Sequence, residues 1–531
     1  MHSAIQSTAG LEEFLRDESR TVGFAETISF PKTEEDIIQT VREEISLGHR
    51  VTVQGGRTGL AAAAVPHGGH VLNVSRMNRI LGMRQDADGT FFVTVEPGCV
   101  LAELKKALAS RKIPVKDFDS ASLSAWKAFS AAPAQQFPPD PTETSATIGG
   151  MVACNASGAK SYLYGPTRRW VEALRVVLPD GDVLSLRRGL VHADGRTLTL
   201  TAESGRKTVL SLPAVTMPRT KNASGYYIDD NMDAVDLFIG SDGTLGVVSL
   251  IELRLCPEPA VMWGVTCFFD SEEKVVRFVN ETRNSVKNLA SLEYFDGGAL
   301  ELLRQQRATA AAFARLPEIA DDAHCAVYTE IHCRTEAEAY EGLFAIGDIL
   351  CRCGGDGDRT WVARTAQDRD RLYFFRHATP ESVNMRIDRR KKEYPDITKL
   401  GSDMSVPDEK LGDVLDLYRR TLADAGLEYV KFGHIGNNHL HVNILPRDMD
   451  EYRRGKELFR AWAAEVTAMG GAVSAEHGVG KLKASFLEIM YGREVIAGMA
   501  ALKRVFDPQG LLGTGNLFDP AAYLPNGDNA P

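Results

Sequence analysis

The chain has 531 residues, too many for one ordinary hydrophobic core, so two or three domains are expected. Its 25% charged and 44% hydrophobic residues suit a globular protein, and a formal charge of −10 excludes a general basic surface for nucleic acid. Eight cysteines, at 99, 154, 256, 267, 325, 333, 351 and 353, form none of the C-x-x-C pairs of zinc ribbons or ferredoxin-like iron–sulfur sites. They read as buried or free thiols in a reducing compartment. The N-terminus, M-H-S-A-I-Q-S-T-A-G-L-E-E-F-L, has neither the basic start nor the apolar core of a secretory signal. No apolar run reaches the roughly 18 to 20 residues that cross a bilayer. A cytoplasmic protein, not integral to a membrane, is the expectation, with a peripheral position at the membrane's inner face left open.

Thr33-Glu34-Glu35-Asp36 opens a helical pattern carried by Ile37, Ile38, Val41 and Ile45, with acidic residues in its first turn, and the pattern ends at Gly48. The extended run R-V-T-V then enters Q-G-G-R-T-G-L at 54–60. A strand leading into such a loop presents successive backbone N–H groups, as a diphosphate requires. It is neither a Walker A loop nor the G-x-G-x-x-G dinucleotide fingerprint, because no G-K-[ST] follows and no helix begins after it. Taken alone it is also compatible with a plain turn.

Two more stretches have the same character. Residues 140–160, D-P-T-E-T-S-A-T-I-G-G-M-V-A-C-N-A-S-G-A-K, are crowded with Thr, Ser, Asn and Gly, which offer polar donors and let the main chain approach a ligand. Residues 236–249, D-L-F-I-G-S-D-G-T-L-G-V-V-S, place Gly243 and Gly246 in a strand-like apolar run, suggesting a bulge or a close ligand. A large flat cofactor with a diphosphate accounts for all three. Residues 115–138 and 187–212 look like insertions; the first has no legible role, and the second reads as a β-hairpin excursion around Asp-Gly and Ser-Gly turns.

In order and spacing the three stretches resemble the flavin-binding stretches of the vanillyl-alcohol oxidase and p-cresol methylhydroxylase superfamily, over nearly the whole chain. The resemblance implies an α+β fold with a two-part FAD-binding domain of p-cresol methylhydroxylase type. It implies FAD with its pyrophosphate on Gln54, Gly55, Gly56, Arg57, Thr58, Gly59 and Leu60. Isoalloxazine and ribityl contacts follow from Thr144, Thr147, Gly149, Gly150, Asn155 and Ser157, with Pro141 beside them. Asp242, Thr244 and Val248 fall on the adenine side, and Asn516 completes the implied set. Arg57 stands where the family commonly has glycine, and Asp242 where glutamate is usual. No histidine lies in the 54–60 loop, so the FAD is expected to be non-covalent.

After C-P-E-P at 256–259 the pattern changes, and the prolines mark a domain boundary. A strand at 261–269, a helix at 271–286 and a strand at 289–295 are expected, with a similar order over 325–364 and 400–444. Such alternation indicates an antiparallel or mixed sheet backed by helices. The division is 1–258 for FAD, 259–470 for substrate and metal on a ferredoxin-like domain, and 471–531 for a C-terminal helical cap returning to the FAD site.

The chemistry concentrates in K-F-G-H-I-G-N-N-H-L-H-V at 431–442. If this run is a strand, His439, His441 and Asn443 leave one face together. His434 can fold back over that face, and Glu476 would add an oxygen. Such donors suit a divalent ion of the zinc, manganese or iron sort. The plainer alternative is a surface hairpin with solvated histidines. Among the basic residues of this half, Arg376 follows an apolar, aromatic stretch and could clamp a carboxylate bidentately.

G-H-I-G-N-N-H-L-H-V-N and S-A-E-H-G-V-G-K resemble the metal motifs of the D-lactate, D-2-hydroxyglutarate and glycolate dehydrogenase branch. The resemblance implies His434, His441 and Glu476 as metal ligands, Asn443 as a substrate contact, His477 as the base and Arg376 as the carboxylate clamp. His439 replaces the usual asparagine and is either a fourth ligand or a group behind the ligands. The family's substrate-binding Thr and Lys do not map: Pro380 and K-L-G-S-D-M-S-V-P stand in their region. The implied reaction is oxidation of a D-2-hydroxy acid, D-lactate foremost, to the 2-oxo acid with hydride transfer to flavin N5. Electrons would leave to a separate acceptor: an electron-transfer flavoprotein, an iron–sulfur subunit or a quinone. A homodimer is compatible with this reading. The rivals are an alkylglycerone-phosphate-synthase-like flavin transferase and a zinc hydrolase with structural glycine loops.

Overall fold

The computed structural model describes residues 6–523. Residues 1–5, where the N-terminal stretch begins, and 524–531, the end of the C-terminal segment, lie outside the described residues. The first half is built on two sheets. A four-stranded sheet runs Gln6–Ser7, Thr27–Ser29, His70–Asn73, Val51–Gln54, with the last three strands parallel. The helix Glu34–Ser46 covers it: Thr33 caps its start by accepting from the Asp36 N–H, and Ile37 and Val41 pack against Val51 and Leu72. Next to it lies a five-stranded antiparallel sheet ordered Ile80–Gln85, Phe91–Val95, Val247–Arg254, Val171–Val177, Val183–Arg187.

The segment 187–212 folds as expected, with Thr197–Thr201 and Lys207–Ser211 paired as an antiparallel hairpin. The segment 115–138 supplies the helix Ser120–Ala131, whose Phe129 packs edge-on against Phe91 of the five-stranded sheet. Residues 148–154, inside the second Gly-rich stretch, form a short helix capped by Thr147. The run 236–249 is not a strand throughout: it opens with the helix Ala234–Phe238, and the strand starts only at Val247. Gly246 is held to glycine by protein, since a Cβ there would meet Val176 Cγ1 at 2.5 Å.

The second half is one antiparallel sheet. Val261–Phe269, Leu289–Phe295, Cys325–Cys333 and Trp361–Ala363 line up in the order fourth, first, third, second, with the helices Glu272–Ser285 and Glu336–Arg352 as crossovers. This is the ferredoxin-like arrangement. The sheet then continues beyond it through Tyr429–His434, His439–Ile444 and Leu400–Gly401. The C-terminal helix Ala484–Phe506 buries Ile496, Met499 and Leu502 in the core that also holds Ile148 and Ile251, and Leu512 bridges to Val51. The chain end thus packs on the first half. The last strand of the first half, Cys256–Pro257, pairs with Gln135–Gln136, and the ferredoxin-like sheet begins at Val261, so we place the first boundary at 258/259 and keep 259–470 and 471–531 as our proposed further division.

A candidate active site where the two halves meet

A cavity of about 1100 Å³ runs between the halves, at the upper end of or beyond the roughly 300–1,000 Å³ of small-ligand pockets. One wall is made by 53–64, 141–157 and 238–248, the other by the strands around 400–403, 432–434 and 441–443 and the loop 473–483.

On the first wall, the loop after Val51–Gln54 turns at Arg57, whose φ of 57° lies in the left-handed region that favours glycine. Its guanidinium rests 4.2 Å from the centre of the Phe14 ring. The N–H groups of Arg57, Thr58, Gly59 and Leu60 have no hydrogen-bond partner among the described residues. A row of unsatisfied N–H groups at a cavity wall is a fit for an anionic diphosphate. Gly55 is fixed by contact with protein, since a Cβ there would stand 2.1 Å from Thr147 Oγ1. Pro141, Thr147, Gly149, Gly150, Ser157, Asp242 and Val248 also line the cavity.

Four expected contacts do not reach the wall. Thr144 is exposed outside it. Asn155 is spent on protein, accepting from the Arg168 N–H and donating to the Asn222 carbonyl. Thr244 donates to the Ser241 carbonyl and meets the Tyr226 hydroxyl. Asn516 donates to the Ala63 and Asp242 carbonyls and accepts from Lys481. Gln54 reaches the cavity, but its amide donates to the Phe14 and Ala64 carbonyls. These side chains shape the loops. Burial pushes the Asp242 carboxyl up to about 6, even though it accepts from the Gly480 and Val479 N–H groups.

The second wall carries the histidines. Tyr429–His434 and His439–Ile444 form a hairpin in which His434 faces His439. Alternation brings the His439 and His441 rings within 4.5 Å and His434 within 5.3 Å of His439. Gly433 makes room, since a Cβ there would stand 3.0 Å from His441 Cδ2. Glu476 enters from the loop after the helix Met449–Ala468, its oxygens 3.2 Å from His434 Nε2, 3.5 Å from His441 Nε2 and 3.7 Å from His439 Nδ1. One donor from each of these four residues lies within 4.8 Å of the others.

Asp403 anchors this loop. The short strands Leu400–Gly401 and Met404–Ser405 both pair with His439–Ile444, and Asp403 projects between them. It accepts from the Glu476 and His477 N–H groups and from Ser474 Oγ, and it pairs with Lys483. His477 lies between carboxylates, Nδ1 3.5 Å from Asp403 and Nε2 3.4 Å from Glu476, stacked on His441. Burial opposes ionisation of Asp403 and Glu476, but His477 and Lys483 around the first, and Lys221 and His434 around the second, hold both carboxyls well below their ordinary range. Burial pushes the His439 and His441 imidazoles down. It does the same to His434, but Glu293 and Glu476 outweigh it and raise that ring.

Glu293, Asp403 and Lys221 were missed in the sequence. Glu293 bridges Arg376 Nε at 3.1 Å and His434 Nδ1 at 2.7 Å, and a lone charge in the apolar strand Leu289–Phe295 was a readable sign of it. Lys221 Nζ sits 2.6 Å from Glu476 and carried no local signal. Arg376 lies in the helix Ala366–Lys391 facing the cavity, its terminal nitrogens without hydrogen bonds to described residues, and Asn443 Oδ1 is buried and unpaired. Pro380, inside that helix, lacks the N–H that would bond the Arg376 carbonyl.

The donor chemistry fits a divalent cation: His439 is fully buried with neither ring nitrogen in an aligned hydrogen bond, although Nε2 lies 3.0 Å from Asp403.

Residues 258–517 match the family of FAD linked oxidases, C-terminal domain, and residues 25–128 and 121–187 match an FAD binding domain. Similar proteins include a D-2-hydroxyglutarate dehydrogenase of Stutzerimonas stutzeri, 28% identical over 92% of this chain and 90% of its own. A D-lactate dehydrogenase of Anaerostipes hadrus is 25% identical over 95% and 92%. A glycolate oxidase subunit of Bacillus subtilis is 26% identical over 88% and 84%. In fold the chain is similar to a 4-ethylphenol oxidase of Gulosibacter chungangensis (TM-score 0.64, 16% identity, 97% of this chain and 94% of that one). It is also similar to an alkyldihydroxyacetonephosphate synthase (TM-score 0.59, 14% identity, 93% and 76%). No helix of the described residues is long and apolar enough to cross a membrane.

Proposed function

The chain belongs to the FAD-linked oxidases, and on that premise we propose that it oxidises a D-2-hydroxy acid to the 2-oxo acid, D-lactate being the first substrate to try. The observation that carries this reading is the convergence of His434, His441 and Glu476 on the cavity whose other wall holds the glycine-rich stretches. When bound, FAD supplies a hydride acceptor and a divalent cation supplies a Lewis acid that lowers the pKa of the substrate hydroxyl.

The chain's own residues do the rest. The free N–H groups of Arg57 to Leu60 hold the diphosphate. His434, His441 and Glu476 hold the cation, a zinc, manganese or iron ion. The unpaired terminal nitrogens of Arg376 grip the substrate carboxylate while Glu293 fixes the guanidinium through Nε. Asn443 offers its unpaired amide oxygen to the substrate. His477 takes the hydroxyl proton at Nε2, with Asp403 beside Nδ1 to stabilise the imidazolium. Electrons then pass to a separate acceptor, a flavoprotein, an iron–sulfur subunit or a quinone.

One observation favours a second reading of the substrate. Lys399 lines the cavity without a carboxylate partner among the described residues, and burial pushes its ammonium down to about 8. A D-2-hydroxy acid with a second carboxylate, as in the name of the Stutzerimonas relative, would pair with it. Anaerobic mixing with D- and L-lactate and D- and L-2-hydroxyglutarate tests both readings by flavin bleaching. D isomers alone should bleach it. A flavin untouched by every 2-hydroxy acid would overturn the proposal, and metal analysis of the same sample tests the cation.

A further inference from the structure

We infer that His439 is a fourth protein donor to the cation, through Nδ1, with Asp403 orienting its ring from Nε2, so that the site is three histidines and one glutamate. The inference rests on the metal reading above and concerns a residue that replaces the asparagine of the resembled motif.

Four imidazoles surround Glu476; besides His477, which takes the substrate proton in the reading above, the other three each have one nitrogen turned outward to an acceptor. His434 Nδ1 meets Glu293 Oε1 at 2.7 Å, His441 Nδ1 meets the Ser402 carbonyl at 3.0 Å, and His439 Nε2 lies 3.0 Å from Asp403 Oδ1. Those acceptors require a proton on the outward nitrogen, which leaves His434 Nε2, His439 Nδ1 and His441 Nε2 as inward lone pairs. All three point toward one carboxylate, and His439 has no exposure at all. Nδ1 of this buried ring has no hydrogen-bond partner among the described residues and stands 3.7 Å from Glu476, and a buried imidazole nitrogen without a partner is costly, which points to a ligand at Nδ1.

Asp403 would then back His439 as Glu293 backs His434. Three nitrogens and one oxygen favour zinc or iron over manganese.

The test is proton NMR of the flavoprotein loaded with cobalt(II). The wild type should give three strongly shifted resonances that vanish in D2O, from His434 Nδ1–H, His439 Nε2–H and His441 Nδ1–H, and His439→Asn should lose one. Zinc affinity of His439→Asn, by competition with a chromophoric chelator, should fall more than about tenfold, with flavin content reporting that the variant is folded. Two shifted N–H resonances in the wild type, or equal zinc affinity in the variant, overturn the inference while leaving the metal reading standing. A wild type that takes up no cobalt overturns both.

Discussion

The cavity's two walls obey different constraints. On the wall made by 54–60 and 146–157, glycine is imposed by chain packing on chain: a Cβ on Gly55 would meet Thr147, and one on Gly149 would meet Pro97 Cβ at 2.7 Å. On the wall made by 400–403, 432–443 and 474–483, the constraint is charge: Glu476 and Asp403, with Glu293 behind them, are buried carboxylates, each stabilised by its neighbours. Damage to the first wall should therefore act through steric fit and FAD retention. Damage to the second should act through chemistry or through an uncompensated buried charge.

The largest expected effect follows. His477→Ala should slow substrate-driven flavin reduction on the order of 10²- to 10⁴-fold, the usual contribution of a positioned proton acceptor, with flavin content unchanged in stopped-flow samples. An unaltered rate would break the assignment of chemistry to the second wall.

Glu330 extends the test away from the cavity. It is buried against His332 at 2.6 Å and the Tyr328 hydroxyl at 2.6 Å, with Lys160 at 3.7 Å. Burial would raise its carboxyl, but these partners hold it far below the ordinary 4.5. Because the folded value lies below the unfolded one, its stabilisation is complete above about pH 4.5 and fades as acid protonates it. Glu330→Gln leaves His332 and Lys160 without their carboxylate and should cost about 3–5 kcal/mol. The melting-temperature gap to wild type should be full at pH 7 and narrow below 4.5.

Smaller effects belong to the first wall. Gly55→Ala should cost about 1–3 kcal/mol by overpacking and lower the flavin-to-protein absorbance ratio, because Thr147 also caps the helix Ile148–Cys154. Arg57→Gly should move stability by less than about 1 kcal/mol, since glycine relieves the positive φ while the contact with Phe14 is lost. A melting scan that shows several degrees of loss would make Arg57 part of the wall's framework.

Much of this was legible beforehand where the signal was local. The strands Val261–Phe269 and Leu289–Phe295 fall where their apolar runs lie, and the hairpin at 197–211 follows its turn residues. His439 and His441 come together because a two-residue period puts alternate side chains on one face, and His434 joins them across the hairpin, whereas Glu476 is brought in by a separate loop held by Asp403. Elsewhere longer-range contact placed the side chains. Thr144, Asn155, Thr244 and Asn516 carry the right chemical groups, yet three of them are consumed by neighbouring chain segments and Thr144 points elsewhere. The helix Ile148–Cys154 hid in a glycine-rich run because its stability comes from Thr147 and from burial of Ile148, Met151 and Val152.

Periodicity, turn residues and donor types were therefore determined by the sequence itself, since each depends on neighbours a few positions away. Only the tertiary structure decided which charges meet: Lys221 reaches Glu476, Asp403 reaches His439 and His477, and Glu293 joins Arg376 to His434. Buried ions are stable only when an opposite charge or a donor lies within a few ångströms, and that condition is met here by residues drawn from as far apart as 255 positions in the chain.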